Sequence, residues 1–187
     1  MLSKTLWLLL VVLACCMGTG QKAWADQHNP QLEILFKRLH KAPDAATAAA
    51  VEQSIWQLWL EHPDPKCRQL MQQGTIQLNA GEFTAALATY NQLVKIAPDY
   101  AEAWNKRATV QYLLHDFAAS ELDIRQTLQL EPFHFGALSG RGLVKLAQRD
   151  FAGARAAFNA ALEVYPQSIS TRNNLDELET FLRRKSI

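Results

Sequence analysis

Apolar, small and proline residues recur at a fixed interval along the middle of this chain. Five kinds of position repeat every 34 residues across three copies. They are a proline, a phenylalanine, a large apolar residue and two classes of small residue: Pro98, Pro132 and Pro166; Phe83, Phe117 and Phe151; Leu70, Trp104 and Leu138; Gly74, Ala108 and Gly142; and Ala86, Ser120 and Ala154. Self-similarity at a period of roughly 20–50 residues is typical of stacked repeat architectures. The pattern therefore predicts three copies of one structural unit packed in a row.

Each copy has the pattern of two helices joined by a short turn. The two helices of the three copies are predicted over residues 67–80 and 83–96, 101–114 and 117–130, and 135–148 and 151–164. The recurring proline ends each second helix, because proline cannot continue an α-helix. The recurring small residues allow the two helix axes to approach to about 8–10 Å. Tyr90, Ile124 and Phe158 would then point from each second helix into the next copy.

This order of small, aromatic and proline positions in a 34-residue helix-turn-helix resembles the tetratricopeptide repeat. The resemblance covers residues 67–166. It implies an all-α fold: a right-handed α-solenoid of stacked repeats with capping helices at its N- and C-terminal ends. Two positions depart from the family pattern. The seventh position of the repeat, usually leucine, holds Gln73, Arg107 and Arg141. The eleventh position, usually aromatic, holds Gln77, Gln111 and Lys145.

The chain outside the repeats is expected to supply the caps, because a stack of repeats leaves apolar faces at both ends. Pro63 and Pro65 separate an N-terminal helical hairpin, or degenerate repeat, from the first clear repeat. At the other end, Leu175, Leu178 and Leu182 form one stripe of a C-terminal helix. The predicted organisation is a signal peptide at 1–25, the hairpin at 26–66, repeats at 67–100, 101–134 and 135–168, and the capping helix at 169–187.

The first residues contain the three parts of a secretory signal peptide in order. A basic residue precedes the apolar run Leu6–Met17, and Ala23–Ala25 offers a cleavage site. We expect export, and a periplasmic location is favoured because the mature chain would keep only Cys67 and could form no internal disulfide. Two alternatives stay open. An uncleaved segment would anchor the protein in the membrane, and a lipid could be attached to Cys15, which ends a lipobox-like sequence.

The bulk composition argues against two classes of protein. The 187 residues include 19 Lys and Arg against 18 Asp and Glu, a formal net charge of +1, and 49% are hydrophobic. A nucleic-acid-binding protein usually carries a clear basic excess, and a disordered chain is poorer in apolar residues. We therefore expect a folded chain with no nucleic-acid partner.

The sequence contains no motif of a catalytic or metal-binding site. The five histidines, at positions 28, 40, 62, 115 and 134, lack the spacing of metal ligands. We interpret His115 and His134 as solvated loop residues. Phosphate-binding loops and serine nucleophile elbows are absent from the sequence. We expect a non-catalytic protein with no cofactor, no metal and no small-molecule substrate. A self-associating structural module and a periplasmic assembly or metal-handling factor remain alternatives.

The resemblance implies a concave groove lined by the first helices, which is the expected site for a protein or peptide segment. Its candidate contacts are Met71, Thr75, Asn105, Thr109, Tyr112, Ser139 and Leu143. Small, polar and apolar side chains with little charge suit an extended segment or an amphipathic helix with apolar anchors. The positions where some family members hold a peptide carboxylate mostly do not match, so that activity is not expected here. The expected function is an adaptor or scaffold in the cell envelope.

Basic residues form a second candidate feature. Lys106, Arg107, Arg141 and Lys145 could form a ladder for an acidic partner segment. The favoured alternative is that the arginine stems pack between helices while their charged heads pair with carboxylates such as Asp123.

Two tryptophans form a third candidate feature. Trp56 and Trp59 lie three residues apart on one predicted helix. They could form an exposed anchor for a partner, because tryptophan is enriched in binding hot spots. We favour the other interpretation, in which they form a lid over the open end of the repeat stack.

Overall fold

The computed structural model describes residues 29–185, and this part of the chain folds into nine α-helices and no strands. The helices are α1 Pro30–His40, α2 Ala45–Leu60, α3 Pro65–Asn79, α4 Phe83–Ile96, α5 Ala101–Leu113, α6 Phe117–Leu130, α7 Phe135–Ala147, α8 Phe151–Val164 and α9 Ile169–Lys185. The predicted all-α class is confirmed. The predicted signal peptide at 1–25 and the last two residues of the chain lie outside the described residues.

Helices α3 to α8 form three antiparallel pairs that follow the period of the sequence. Each second helix begins at the recurring phenylalanine and ends two residues before the recurring proline. It ends there because the residue before a proline is disfavoured in the α conformation. The pairs stack in chain order, with α4 against α5, α6 against α7, and α8 against α9. This stack is the predicted α-solenoid.

The turn inside each pair contains one residue in the left-handed region. The φ angle is 77° at Gly81 and 61° at both His115 and Arg149. A left-handed residue ends a helix, and glycine adopts this conformation with the least strain. In the second and third repeats the next residue is an aspartate, Asp116 or Asp150. Each carboxylate caps the following helix by accepting a backbone N–H three residues further on.

The small residues stand where the two helices of one repeat meet. A methyl group added at Gly142 would lie 2.3 Å from the ring of Phe158, and one added at Gly74 would lie 2.6 Å from the ring of Tyr90. Both rings are fully buried. The prediction that a small residue is needed where the helices meet is confirmed at these two glycines.

The last helix covers the apolar end of the third repeat. Leu178 of α9 is buried in one cluster with Phe158 of α8, and Leu175 and Leu182 pack against that cluster. These leucines are the stripe expected from the sequence. The solenoid therefore ends in a helix that buries its leucine stripe against the third repeat.

The N-terminal hairpin of α1 and α2 does not stack onto the first repeat. α1 packs against α2 and α8, and α2 packs against α5, whereas a preceding repeat would pack α2 against α3. Trp59 lies in one buried cluster with Phe135 and Tyr165, which belong to the third repeat. The interpretation of Trp56 and Trp59 as a lid over the open end is therefore wrong. They cover the inner face of the second and third repeats.

The connection between α2 and α3 holds the hairpin in this direction. Arg68 donates to the carbonyl oxygens of His62 and Pro63, at 2.5 and 2.8 Å. The Tyr100 hydroxyl donates to the carbonyl oxygen of Leu60 at 2.9 Å. Because Tyr100 lies at the junction of the first and second repeats, this bond places the end of α2 beside the second repeat.

Candidate functional site

The first helices of the repeats, α3, α5 and α7, line the concave face of the solenoid, and α2 lies across part of that face. We call the residues beneath α2 the hairpin seat: Glu102, Lys106, His134, Phe135 and Gly136. We call the remaining part of α5 and α7 the open half: Thr109, Tyr112, Gly140 and Leu143.

Two tryptophans of α2 fill the hairpin seat. Trp59 is stacked on His134, with ring centroids 3.9 Å apart and planes 6° from parallel. Trp56 meets Phe135 edge-on at 5.3 Å and Trp59 at 5.1 Å. A methyl group added at Gly136 would lie 2.7 Å from the Trp56 ring, so the missing side chain makes room for that ring. Aromatic pairs in such geometries stabilise a contact beyond the contribution of the apolar surface they bury.

A buried ionic cluster lies beneath the two tryptophans. Glu102 Oε2 accepts hydrogen bonds from Asn105 Nδ2 and His134 Nε2, both at 2.9 Å, and Glu102 Oε1 lies 3.2 Å from Lys106 Nζ. His134 Nδ1 accepts the N–H of Ala137. The proton of a neutral ring is therefore on Nε2 and points at Glu102. The interpretation of His134 as a solvated loop residue is wrong, because it is 0% exposed.

Glu102 keeps its charge although it is fully buried. Burial alone would raise the pKa of Glu102, but the charge of Lys106 and the hydrogen bonds from His134 and Asn105 outweigh it and lower the pKa. The Glu102 carboxylate in turn raises the pKa of Lys106. All four residues belong to the second repeat, residues 101–134. The hairpin thus covers polar groups that satisfy one another within the solenoid.

Polar contacts along its edge hold the hairpin to the third repeat. They are His40 Nδ1 to the Glu163 carbonyl at 2.8 Å, the Tyr165 hydroxyl to Glu52 Oε2 at 3.0 Å, and Gln167 Nε2 to the Ala42 carbonyl at 3.4 Å. Burial and the bond to Glu52 raise the pKa of Tyr165 to about 12. The hydroxyl therefore stays a donor at neutral pH.

Four of the candidate groove residues come together around a small cavity. Thr109 is exposed, Tyr112 and Leu143 are half-buried, and with Asn105 they line a cavity of about 70 Å³ between α5 and α7. Gly140 lines the same cavity, and the nearest atom to a methyl group added there would be 4.0 Å away. Packing does not require glycine at this position. The missing side chain is what leaves the space open.

The other three candidate groove residues belong to the packing of the solenoid. Met71 is 3% exposed and lies in the core of the first two repeats. The Thr75 hydroxyl donates to the Met71 carbonyl at 2.8 Å. The Ser139 hydroxyl accepts from Thr171 of α9 at 3.2 Å. None of these three side chains lines the cavity.

A larger cavity, of about 860 Å³, lies between α1 and the ends of α6 and α8. Its apolar walls are Pro30, Leu32, Phe36, Leu130, Pro132, Phe133 and Val164. Phe133 is 57% exposed, and its ring lies 5.5 Å from that of Phe36. This cavity could not be predicted from the sequence because one wall is α1, whose packing partner is far away in sequence. The one sequence feature that pointed to this cavity was Phe133, an aromatic residue directly after the recurring proline Pro132.

The four residues of the candidate basic ladder all pair with carboxylates of their own chain. Arg107 donates from Nε and Nη2 to the two carboxylate oxygens of Asp123, at 2.6 and 2.8 Å. The other pairs are Lys106 with Glu102 at 3.2 Å, Arg141 with Glu121 at 3.0 Å, and Lys145 with Glu121 at 3.9 Å and Asp150 at 3.6 Å. These pairs favour the structural alternative over a ladder for an acidic partner.

Alanine at Arg107 should cost more stability than alanine at Arg141. Asp123 is 4% exposed. Loss of Arg107 would leave this buried carboxylate without its cation, so we expect the free energy of unfolding to fall by about 3 kcal/mol. The Arg141 pair is more open to water, and we expect a loss of about 0.5 kcal/mol. Chemical denaturation of both variants measures the difference. Equal losses would contradict a structural role specific to Arg107.

Within residues 29–185, no group of three or more His, Cys, Asp and Glu side chains could hold a metal ion. In the same part of the chain, no helix is both long and apolar enough to cross a membrane. Cys67 is buried, and burial raises the pKa of its thiol. The thiol therefore stays protonated at neutral pH, and the thiolate is the reactive form of cysteine.

Two family models match the repeat region. One, described as TPR repeat, matches residues 74–114, and the other, described as tetratricopeptide repeat, matches residues 114–169. A TPR repeat-containing protein of Rhizobium etli is 28% identical over 92 residues, which are 49% of this chain and 45% of that protein. The chain thus matches less than half the length of this relative.

Solved structures of repeat domains are similar to the solenoid. The Sgt2 TPR domain of Aspergillus fumigatus has a TM-score of 0.63 and 21% identity, covering 66% of this chain and 83% of that one. The first TPR of Spaghetti (RPAP3), bound to an HSP90 peptide, has a TM-score of 0.61 and 23% identity, covering 63% and 94%. The TPR2B domain of yeast Sti1, in complex with pHsp70, has a TM-score of 0.59 and 19% identity, covering 63% and 98%. The two family models, which together span residues 74–169, show that the chain belongs to the tetratricopeptide repeat family.

Proposed function

We propose that this chain is a non-catalytic scaffold that binds a segment of another protein on the open half of its concave face. The observation that carries the proposal is the cavity of about 70 Å³ lined by Asn105, Thr109, Tyr112 and Leu143. Tetratricopeptide repeat proteins are generally interaction modules rather than enzymes. Two of the similar structures are complexes with an HSP90 peptide and with pHsp70, which supports a protein segment as the kind of partner.

The geometry of the open half suits an apolar anchor flanked by hydrogen bonds. The cavity admits a small apolar side chain, and two residues that carry hydroxyl groups, Thr109 and Tyr112, line it. The Thr109 hydroxyl donates to the Asn105 carbonyl oxygen at 3.0 Å, so it is available to a partner as an acceptor. These residues are held on packed helices, so little ordering free energy is spent on binding. Lys106 and Arg107 pair with Glu102 and Asp123 of the same chain. The partner is therefore recognised through shape and hydroxyl groups rather than through a field of positive charge.

The cell envelope is the proposed setting. Its support is the apolar run Leu6–Met17 followed by the small residues of Ala23–Ala25, the pattern of a secretory signal peptide. The mass of the chain purified from its native cells tests this proposal. A mature chain that begins at Asp26 is expected, and a full-length chain found in the cytoplasm would refute it.

Site-specific photo-crosslinking in the native cells tests the binding proposal. The crosslinking side chain is placed at Tyr112 in the open half, at Phe133 beside the larger cavity, or at Leu122, which is 59% exposed on α6. We expect one discrete protein adduct from Tyr112 and none from Leu122. A second substitution, Gly140→Leu, fills the small cavity and should abolish the Tyr112 adduct. An adduct at Phe133 or Leu122 without one at Tyr112 would show that the binding face is wrong.

A further inference from the structure

Helix α2 presents a defined chemical pattern to the concave face. Glu52 accepts from the Tyr165 hydroxyl through Oε2 at 3.0 Å and from Trp56 Nε1 through Oε1 at 3.2 Å. The Trp56 ring lies against Gly136, and the Trp59 ring is stacked on His134, with ring centroids 3.9 Å apart. The pattern is an acidic residue followed by aromatic residues four and seven positions later. An amphipathic helix laid into a groove with anchors on one face is a general mode of peptide recognition.

The polar contacts of Glu102 in the hairpin seat are made to residues of the solenoid rather than to α2. Glu102 bonds to Asn105 and His134 and pairs with Lys106, all within the solenoid. Departure of α2 would expose this cluster to water without breaking those bonds. A buried charge that loses its partner is strongly destabilising, and no such loss occurs here. The seat can therefore exist both covered and uncovered.

The hairpin also has apolar contacts of its own. Leu39 of α1 and Val51 and Ile55 of α2 are at most 4% exposed and lie in one cluster. The solenoid contributes two residues, Phe135 and Tyr165, to the buried part of that cluster. Separation of the hairpin from its seat would thus leave most of the α1–α2 contacts in place.

From these contacts we infer that the hairpin seat is a binding site for an amphipathic helix, with α2 as its resident occupant. A partner helix with the same acidic and aromatic pattern displaces α2 and extends onto the open half. This inference rests on the proposed function and adds to it the chemistry of the partner. An intramolecular occupant competes at a high effective concentration. The apparent affinity for the partner is therefore the affinity of the uncovered seat multiplied by the fraction of molecules in which the seat is uncovered.

Hydrogen exchange in the native state tests whether the hairpin opens by itself. In the full chain, amides of α1 and α2 should exchange through an opening that leaves α5 and α7 protected. Gly136→Ala places a methyl group 2.7 Å from the Trp56 ring and should speed hairpin exchange about tenfold. The matched variant Gly140→Ala lies on the same helix, with no atom nearer than 4.0 Å to the new methyl group. It should leave hairpin exchange unchanged.

Two results of that experiment would overturn the inference. One is exchange of the hairpin and the repeats in a single opening event. The other is an equal effect of the two alanines, which would trace any change to helix propensity rather than to the contact with Trp56.

A peptide of α2 itself tests whether the uncovered seat accepts a helix. The probe is a labelled synthetic peptide of residues 44–62, added to the full chain and to its Trp56→Ala variant. The variant weakens the resident helix and leaves the seat intact, so it should bind the peptide at least about tenfold more tightly than the unchanged chain. Adding Gly136→Leu to the variant fills the seat and should remove this binding.

Equal binding to both chains, or binding that survives Gly136→Leu, would refute the seat as a helix site. Far-ultraviolet circular dichroism checks that the Trp56→Ala variant is folded, and if it is not, the exchange experiment decides. Both experiments use the purified protein and no cellular partner. A failed crosslink at Tyr112 would therefore refute the proposed function without changing the results of the exchange and peptide experiments. Failure of those two experiments would refute the helix site and leave the crosslinking result unchanged.

Discussion

Alanine in place of Gly142 should lower the free energy of unfolding by about 2–3 kcal/mol. The new methyl group would lie 2.3 Å from one ring atom of Phe158 and 2.4 Å from another. Phe158 is 0% exposed and lies in a cluster with Ala154 and Leu178, so its ring has no free space to enter. Relief requires α7 and α8 to move apart, which loosens the whole repeat.

The matched control is Gly140→Ala, two residues away on the same helix. Glycine inside a helix is about 1 kcal/mol less favourable than alanine. At position 140 the added methyl group meets nothing closer than 4.0 Å, so the variant should gain up to that amount of stability. Two identical substitutions on one helix should therefore change stability in opposite directions.

Chemical denaturation of Gly142→Ala, Gly140→Ala and the double variant Gly142→Ala with Phe158→Leu measures these effects. The smaller side chain at position 158 should recover part of the stability lost at position 142. No recovery in the double variant would contradict the steric explanation. A stabilising effect of Gly142→Ala would show that the ring moves aside at little cost.

The repeats could be predicted because their information is local. Each repeat brings a glycine or alanine of its first helix next to a large side chain of its second helix, as in Gly74 with Tyr90 and Gly142 with Phe158. These partners lie 16 residues apart, and the arrangement returns with the period of the sequence. A contact that recurs at a fixed interval leaves a pattern that can be read without a structure.

The hairpin position could not be predicted in the same way. Tyr165 and Glu52 are 113 residues apart, and within residues 29–185 no hydrogen bond between other residues repeats theirs at the period of the solenoid. An amphipathic stripe on α2 indicates that one face is buried and does not indicate the surface that buries it. The expectation that α2 covers the open end followed the general need of a repeat stack for caps. In the structure, the aromatic surface around Phe135 meets that stripe instead.

The part of the candidate site that lies within the repeats could be predicted from the same repeating pattern. Asn105, Thr109, Tyr112 and Leu143 line one cavity because the repeat places equivalent positions of α5 and α7 side by side. The burial of His134 depends on α2, so the repeating pattern did not predict it. Its signal was its place before α7, where a histidine ring can accept the first backbone N–H groups of a helix.

Replacing Trp59 with alanine should remove the hairpin from the solenoid. Trp59 is 1% exposed, is stacked on His134 and contacts Phe36 and Phe135. Truncation of a buried tryptophan typically costs about 3–5 kcal/mol. A loss of that size is a large fraction of the stability of an ordinary domain, and it falls on the contact between the hairpin and the repeats.

Circular dichroism and hydrogen exchange together measure the effect of Trp59→Ala. Exchange should become fast throughout α1 and α2, the 11 and 16 residues of Pro30–His40 and Ala45–Leu60. The amides of α5 and α7 should stay protected, and most of the helical signal should remain. The matched control is Trp59→Phe, which keeps an aromatic ring over His134 and should cost much less stability.

The control also isolates the role of the indole nitrogen. Trp59 Nε1 is buried and has no hydrogen-bond partner among the described residues, so its removal in Trp59→Phe leaves no polar group unpaired. The ring of Trp59, rather than its N–H group, is then what holds the hairpin. Loss of all helices together in Trp59→Ala would contradict this view, because it would make the hairpin and the repeats one cooperative unit. Retention of the repeats without the hairpin would instead define the solenoid as the stable scaffold and α2 as a ligand that it carries.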